Sequence, residues 1–249
     1  MVWWEWLAIL AAGVAAGGIN ALVGSGTLVT FSTLVALGVP PLTANVTNTV
    51  GLVAGSVASS VGYRQELSAQ KPRMIRLVPA SIAGGLTGAG LLLVLPESAF
   101  DTIVPVLIGL GVVLVAIQPM VARKLSLPHD PHALGGPVAW IAVFLIGIYG
   151  GYFGAAQGVL LIAVLGALVD AHLQRVNALK NVLAAAVNAV AAAVFIVLAP
   201  VDWPIALVLI TGSTLGGFLG AHYGRRLPDI ALRIFIIVVG LVALVVLVS

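Results

Sequence analysis

Asn177, Lys180, Asn181 and Asn188 recur at helical spacing in an Ala/Val/Leu stretch. At 100° per residue they fall, with Ala184, within about 100° of one another on one face. Asn45, Asn48, Thr49, Ser56 and Ser59 draw a second stripe of the same kind. Asn48 occupies the place of Lys180, and Ser56 that of Asn188. The chemistry of such a pair of stripes suits an oxyanion. Lysine supplies a compact positive charge, and amide and hydroxyl groups donate hydrogen bonds to its oxygens. Ser25, Gly26 and Thr27, and again Gln157 and Gly158, follow glycine-rich breaks in apolar sequence. A helix that restarts at such a break presents backbone N–H groups and partial positive charge.

Each of these features also has a purely structural reading. Asn and Ser stripes hold membrane helices together. Lys180 stands a few residues inside its helix, where a lysine can snorkel to the interface. The small-residue series Ala80, Gly84, Gly88 and Gly212, Gly216, Gly220 speak for close helix packing. His222 sits next to a basic cluster and suits an interface, although its side chain titrates near neutrality. His129 and His132 are two residues and do not complete a metal shell. No metal or cofactor is expected, and without cysteine there is no thiolate chemistry or disulfide.

The elements that carry these residues belong in a bilayer. Of 249 residues 61% are hydrophobic and 8% charged, with a mean hydropathy of +1.20. A soluble domain carries about 25% charged residues. The 11 Lys and Arg and 8 Asp and Glu cannot coat a water-soluble surface of this size. The apolar stretches are too long for barrel strands. No room remains for a nucleotide-binding or soluble catalytic domain. The net charge of +3 points to basic loops rather than nucleic-acid binding. The first residues, with Trp3, Trp4 and Trp6, suit an interfacial anchor rather than a cleaved signal peptide.

A shift of 132 residues superimposes the two halves. Gly18 meets Gly150, Asn45 meets Asn177, Pro72 meets Pro204, Ser81 meets Ser213, and Gly84, Gly85 and Gly88 meet Gly216, Gly217 and Gly220. Asn, Pro and Gly at one offset indicate an internal duplication. The expected division is repeat 1 over 1–124, a connecting loop 125–134 and repeat 2 over 135–249. Each repeat holds four hydrophobic blocks, at about 3–38, 42–62, 74–95 and 98–120, then 135–169, 174–198, 204–226 and 230–248. The first block of each is too long for one crossing and is interrupted, at Gly24-Ser25-Gly26 and from Gly150-Gly151 to Gly158. It is expected to form a hairpin of two short helices.

Charge placement bears on direction. Arg64, Lys71, Arg73 and Arg76, then Arg123 and Lys124, Arg175 and Lys180, and Arg225, Arg226 and Arg233 fall on one face only if both first blocks turn back. Glu5, then Glu97 and Asp101, then Asp202 fall on the other. The positive-inside rule then favours inverted repeats with the N-terminus outside. The expected fold class is an all-α integral membrane protein with eight main spans in two inverted repeats.

Gly-Gly-Ile-Asn-Ala-Leu-Val-Gly-Ser-Gly (17–26), Leu-Gly-Val-Pro-Pro (37–41) and Ala-Asn-Val-Thr-Asn (44–48) resemble the first half of the sulfite exporter TauE/SafE family. Gly-Ile-Tyr-Gly-Gly-Tyr-Phe-Gly-Ala-Ala-Gln-Gly (147–158), Arg-Val-Asn-Ala-Leu-Lys-Asn (175–181), Asn188 and Val201-Asp202-Trp203 resemble its second half. The resemblance implies a permease of about eight spans for sulfite, sulfonates, sulfoacetate-like or carboxylated anions. The first break departs from an all-glycine run by reading Gly-Ser-Gly-Thr. The second holds Ala155-Ala156-Gln157 where glycine or a small hydroxyl residue is usual.

The leading expectation is a secondary transporter, exporting by alternating access, in a bacterial-type inner membrane. Its partners would be a small anion, the bilayer and a coupling ion, proton or sodium; a homodimer is compatible with this. The substrate site would comprise Lys180, Asn177, Asn181, Asn188, Gln157, Gly158, Ser25, Gly26, Thr27, Asn45, Asn48, Thr49 and Ser56. A channel or a membrane subunit of a larger complex is the alternative. An intramembrane enzyme ranks last, because it would need Lys180 paired with Ser25 or Ser56.

Overall fold

The computed structural model describes residues 2–124, 134–170 and 172–223, with residues 234, 236–238, 241 and 242 of the C-terminal segment. Every regular element among them is helical. The order is α1 (Trp3–Leu22), α2 (Thr27–Ala36), α3 (Pro41–Gly62), α4 (Arg64–Leu67), α5 (Lys71–Val94), α6 (Glu97–Lys124), α7 (Gly136–Tyr152), α8 (Gln157–Leu168), α9 (Leu173–Leu198) and α10 (Trp203–Tyr223). By length and composition α1, α5, α9 and α10 can each cross a membrane, and α2, α7, α8 and the Thr102–Ile117 stretch of α6 are shorter apolar helices. The chain is thus a multi-helical membrane protein.

Both long first blocks break where glycine was expected to break them. Gly24 between α1 and α2 has φ 84°, and Gly154 between α7 and α8 has φ 73°. Only glycine takes that conformation without steric cost. The basic segment 64–76 is mostly helical rather than a loop: Lys71, Arg73 and Arg76 occupy the first turns of α5. Arg225, Arg226, Arg233, His129 and His132 lie outside the described residues, as does most of block 230–248, and so do the side chains of Arg123, Lys124, Glu97 and Asp101. His222 is exposed and stands edge-on to Tyr223.

Two helix pairs form the tightest contacts. Gly13 of α1 lies against Gly212 of α10, Gly17 against Gly217, and Gly18 against Gly220, so α1 and α10 run side by side in the same direction. A Cβ at Gly17 would stand 2.8 Å from the backbone N of Gly217. In the same way Gly84 of α5 meets Gly147 of α7 and Gly88 meets Tyr152. Lipid is as apolar as leucine, so side-chain burial alone does little to join helices there. Close backbone approach at small residues does it instead. Between these pairs stand α3 and α9, which touch each other, with α3 also packed on α10 and α9 on α5. The polar face of α3 is enclosed: Asn45, Thr47, Asn48, Thr49, Ser56 and Ser59 are all buried.

Side-chain bonds tie the loops together at each end. At one end Arg73 Nη1 lies 2.5 Å from Asp170 Oδ2, and Arg175 Nε 3.0 Å from the same oxygen. Asp170 Oδ1 accepts the N–H of His172 at 2.8 Å. Arg73 Nη2 donates to Val169 O at 3.1 Å, and Gln70 Nε2 to Arg175 O at 2.9 Å. This cluster joins the start of α5 to the α8–α9 connection. At the other end Thr47 Oγ1 accepts the N–H of Asp202 at 3.0 Å, and Asp202 Oδ1 caps α10 by accepting the N–H of Ile205 at 3.1 Å. That joins α3 to the α9–α10 connection.

Burial alone would raise the Asp170 carboxyl. The His172 N–H and the Arg73 and Arg175 guanidiniums outweigh it and hold Asp170 below the ordinary carboxylate range.

Two outcomes follow for stability in detergent. Gly84→Val, whose Cβ would stand 2.9 Å from Gly147 Cα, should lower the melting temperature through about 1–3 kcal/mol of overpacking. Gly90→Val on the same helix, where nothing lies within 4 Å, should not. Asp170→Asn removes the carboxylate that the buried Arg73 shares with Arg175 and should cost about 3 kcal/mol. A depressed folded-state value stabilises the fold at neutral pH, and that contribution is lost as pH falls through the carboxylate range. Wild type should therefore lose melting temperature on acidification below about pH 4, and Asp170→Asn should lose less.

Candidate functional site

The site is built from the two helix breaks. A helix that ends inside the bilayer leaves its last carbonyls without partners, and no water is at hand to satisfy them. At the end of α1, Ile19 O accepts Val23 N at 2.7 Å and Gly24 N at 3.0 Å. Asn20 O accepts Lys180 Nζ at 2.7 Å, and Ala21 O accepts Lys180 Nζ at 3.2 Å and Asn181 Nδ2 at 3.3 Å. Lys180 therefore does not snorkel. Its side chain is wholly buried about 10 Å into α9 (seven residues at 1.5 Å each), held on the negative end of the α1 dipole.

At the end of α7 the same need is met without a charge. Tyr149 O accepts Phe153 N and Gly154 N, each at 3.0 Å, and Tyr152 O accepts Asn45 Nδ2 at 2.9 Å. The two breaks touch: Gly158 N donates to Gly24 O at 3.0 Å. A Cβ on either glycine would collide with the other's backbone.

Around this contact lies a small cavity of ≈ 20 Å³, room for about one water. Lys180, Asn181, Asn188, Gln157, Gly158, Thr27 and Ser56 line it, joined by Asn20, Gly24, Gly154 and Ala184. No Asp or Glu is among them. Gln157, the first residue of α8, is buried, and its Nε2 has no partner. Its amide folds over Gly150, where a Cβ would stand 2.6 Å from Nε2. Asn188 Nδ2 donates to Ser56 Oγ at 3.2 Å, which leaves one amide proton. Two of the three Lys180 donors are used, and one is free. The donors that converge here have no acidic group to receive them.

The remaining expected site residues stand around the cavity rather than in it. Asn45 caps α7. Asn48 Oδ1 accepts the Thr30 hydroxyl, and Thr49 Oγ1 donates to Asn45 O at 2.9 Å. Gly26 N donates to Asn20 Oδ1 at 2.7 Å. Ser25 and Asn177 are buried, with Ser25 Oγ and Asn177 Oδ1 unpartnered. One expectation is corrected. The N–H groups of Gly26 and Gly158 are not free for a ligand, because Asn20 and Gly24 already accept them. A break packed against another break satisfies its own backbone. Asn20, Gly24 and Gly154 were missed as lining residues. The signal for Asn20 is its place in the last turn of α1, one helical turn before the positive-φ glycine.

The comparisons with known proteins point to membrane transporters. A probable membrane transporter protein of Escherichia coli (strain K12), YfcA, is 27% identical over 214 residues, covering 85% of this chain and 76% of that protein. The probable membrane transporter protein ORF9 of Sinorhizobium sp is 27% identical over 214 residues, 85% of this chain and 78% of its own. A probable membrane transporter protein of Haemophilus influenzae is 26% identical over 216 residues, 86% and 84% of the two chains. The family model described as sulfite exporter TauE/SafE matches residues 9–247, and the chain belongs to that family of membrane transporters.

Proposed function

We propose that the chain is a secondary transporter that exports small anions, such as sulfite, sulfonates or sulfoacetate-like compounds, across a bacterial-type inner membrane. The observation that carries this is the cavity between the two breaks. It gathers one lysine cation, an unpartnered Gln157 amide and the Asn188, Asn181 and Thr27 donors, with no carboxylate among its lining residues. Such a set offers a cation no carboxylate, and offers an oxyanion a positive charge and several donors. Its volume is too small for a sulfonate, which suits an occluded state whose walls part on either side in turn.

The mechanism we infer is alternating access between inverted repeats. Three observations support it. Arg73 and Gln70 meet the α8–α9 connection, so the loop between α4 and α5 shares an end with residues 169–175. Thr47 meets Asp202, so the start of α3 shares the other end with residues 199–202. Since α1 runs parallel to α10 and α7 to α5, the α1–α2 hairpin enters from one end and the α7–α8 hairpin from the other. On this reading the lysine and arginine end is cytoplasmic.

Counterflow in proteoliposomes tests the transport. Labelled sulfite or 2-hydroxyethanesulfonate should exchange against the unlabelled anion. Gln157→Leu should raise the half-saturation concentration about tenfold or more, the loss expected for one hydrogen bond to a charged group. Exchange of no sulfur oxyanion, sulfonate or carboxylate, or a Gln157→Leu protein identical to wild type, would overturn the reading. Single cysteines test the topology, because the chain has none of its own. Gly38→Cys and Ala199→Cys should react with an impermeant maleimide from outside the cell, and Ser68→Cys only from the cytoplasm. Labelling of positions 38 and 68 from the same side would sink the hairpin arrangement.

A further inference from the structure

We propose that Lys180 is the proton-coupling group of this transporter: its amine gains one proton as the anion enters the cavity and gives it up as the anion leaves. Anion and proton then cross together, so export runs down the anion's own concentration gradient and carries one proton out with each anion. This rests on the anion-transport reading above and adds to it the identity of the coupling ion and of the residue that carries it.

Lys180 is wholly buried, and no carboxylate lies within ion-pair distance of it among the described residues. Its hydrogen-bond partners are two backbone carbonyls, Asn20 O at 2.7 Å and Ala21 O at 3.2 Å. A neutral amine has two N–H donors and one lone pair. It can still donate to both carbonyls, more weakly than the charged ammonium, so loss of a proton breaks neither bond and does not unmake the end of α1. What changes is the third valence. With a proton it is a charged donor on the wall of the cavity; without one it is a lone pair. An uncompensated ammonium out of water is unfavourable. An anion in the cavity supplies the missing counter-charge, and the ammonium supplies the anion's. Each therefore strengthens the binding of the other, and the linkage is reciprocal.

Among the described residues no neighbouring group competes for the role. Among the residues that line the cavity, α1, α2, α3 and α8 contribute only amides, hydroxyls and glycines. Tyr63, after α3, packs with Ala21 and Ala178 outside it. The Tyr149 hydroxyl of α7 accepts the Ala156 N–H at 3.3 Å. On α4, Arg64 and Glu66 do not reach the lining. Arg73 of α5 and Arg175 of α9 are engaged with Asp170. The matching position in the other half is Asn48, which does not titrate, so the site carries one proton per turnover. In the step itself the amine lone pair bonds a proton from the water on the open side. The N–H bond breaks toward water on the other side after the anion has left. For a singly charged anion the cycle moves no net charge.

The test uses the full chain in proteoliposomes with 2-hydroxyethanesulfonate, whose charge stays fixed across the pH range. The membrane potential is clamped at zero with potassium and valinomycin. Wild type should accumulate the sulfonate in the alkaline compartment, by about tenfold per pH unit at one proton per anion. Purified protein in weak buffer near neutral pH should take up protons on addition of the sulfonate. Lys180→Arg, which holds its charge permanently, should lose the gradient-driven accumulation even where exchange at equal pH is still measurable. Wild-type exchange without accumulation, no proton uptake on binding, or gradient-driven accumulation by Lys180→Arg would each overturn the coupling while leaving the transport reading standing. Absence of any exchange at equal pH overturns the transport reading and the coupling with it.

Discussion

A backbone that stops being helical inside a bilayer must find partners for every carbonyl and N–H it frees, because lipid offers none. The rest of this structure answers that requirement at two places. The end of α1 is closed by Lys180 and Asn181 from α9, and the end of α7 by Asn45 from α3. The tips then close one another through Gly158 and Gly24. The polar residues of α3 and α9 sit at the heights where broken helices end, which is why these two helices occupy the centre. They could not face lipid, and the breaks could not exist without them.

The glycine pairs follow from the same geometry. For Asn45 and Lys180 to reach a helix end by side chain alone, the broken helices must be held rigidly against full-length neighbours. Backbone-to-backbone approach of α1 on α10 and α7 on α5 does this with no side chain between them. The ends of the molecule are treated unequally. One carries the buried Asp170 with two arginines. The other is joined by neutral Thr47 and the capping of Asp202. A buried ion pair loses much when either partner is removed, so the arginine end is the more sensitive of the two to a single substitution.

Much of this was legible in the residues. Glycine at positive φ is a backbone requirement that sequence shows directly, so the breaks at Gly24 and before Gly158 could be placed. Helix bounds followed from apolar runs ended by Pro, Gly and charge. The stripe Lys180, Asn181, Ala184 and Asn188 lines the cavity because helical periodicity alone puts it on one face. What could not be read was how polar groups divide between holding the fold and facing a ligand. Asn45, Asn48 and Asn177 have the same residue type and period as Asn188, yet they stand outside the cavity. The difference lies in which helix end each one meets, and that is a property of packing across 107 residues of chain for Asn45 and Tyr152. Nor could sequence show that Asn20 and Gly24 would consume the break's own N–H groups, since that depends on one hairpin tip resting on another.

The two helix ends are closed by different chemistry, and that difference has a consequence. Asn45 on α7 is neutral and fixed, so that end carries the partial negative charge of its dipole undiminished. Lys180 on α1 brings a full charge against a partial one. The sum at the centre is positive only while the amine holds its proton, and among the described residues no other titratable side chain lines the cavity to offset the change. A group that served only as a cap could be an asparagine, as Asn45 is at the end of α7. Placing a lysine there adds a charge that capping alone does not call for, and the cavity that adjoins it is lined by donors that a ligand could share with it.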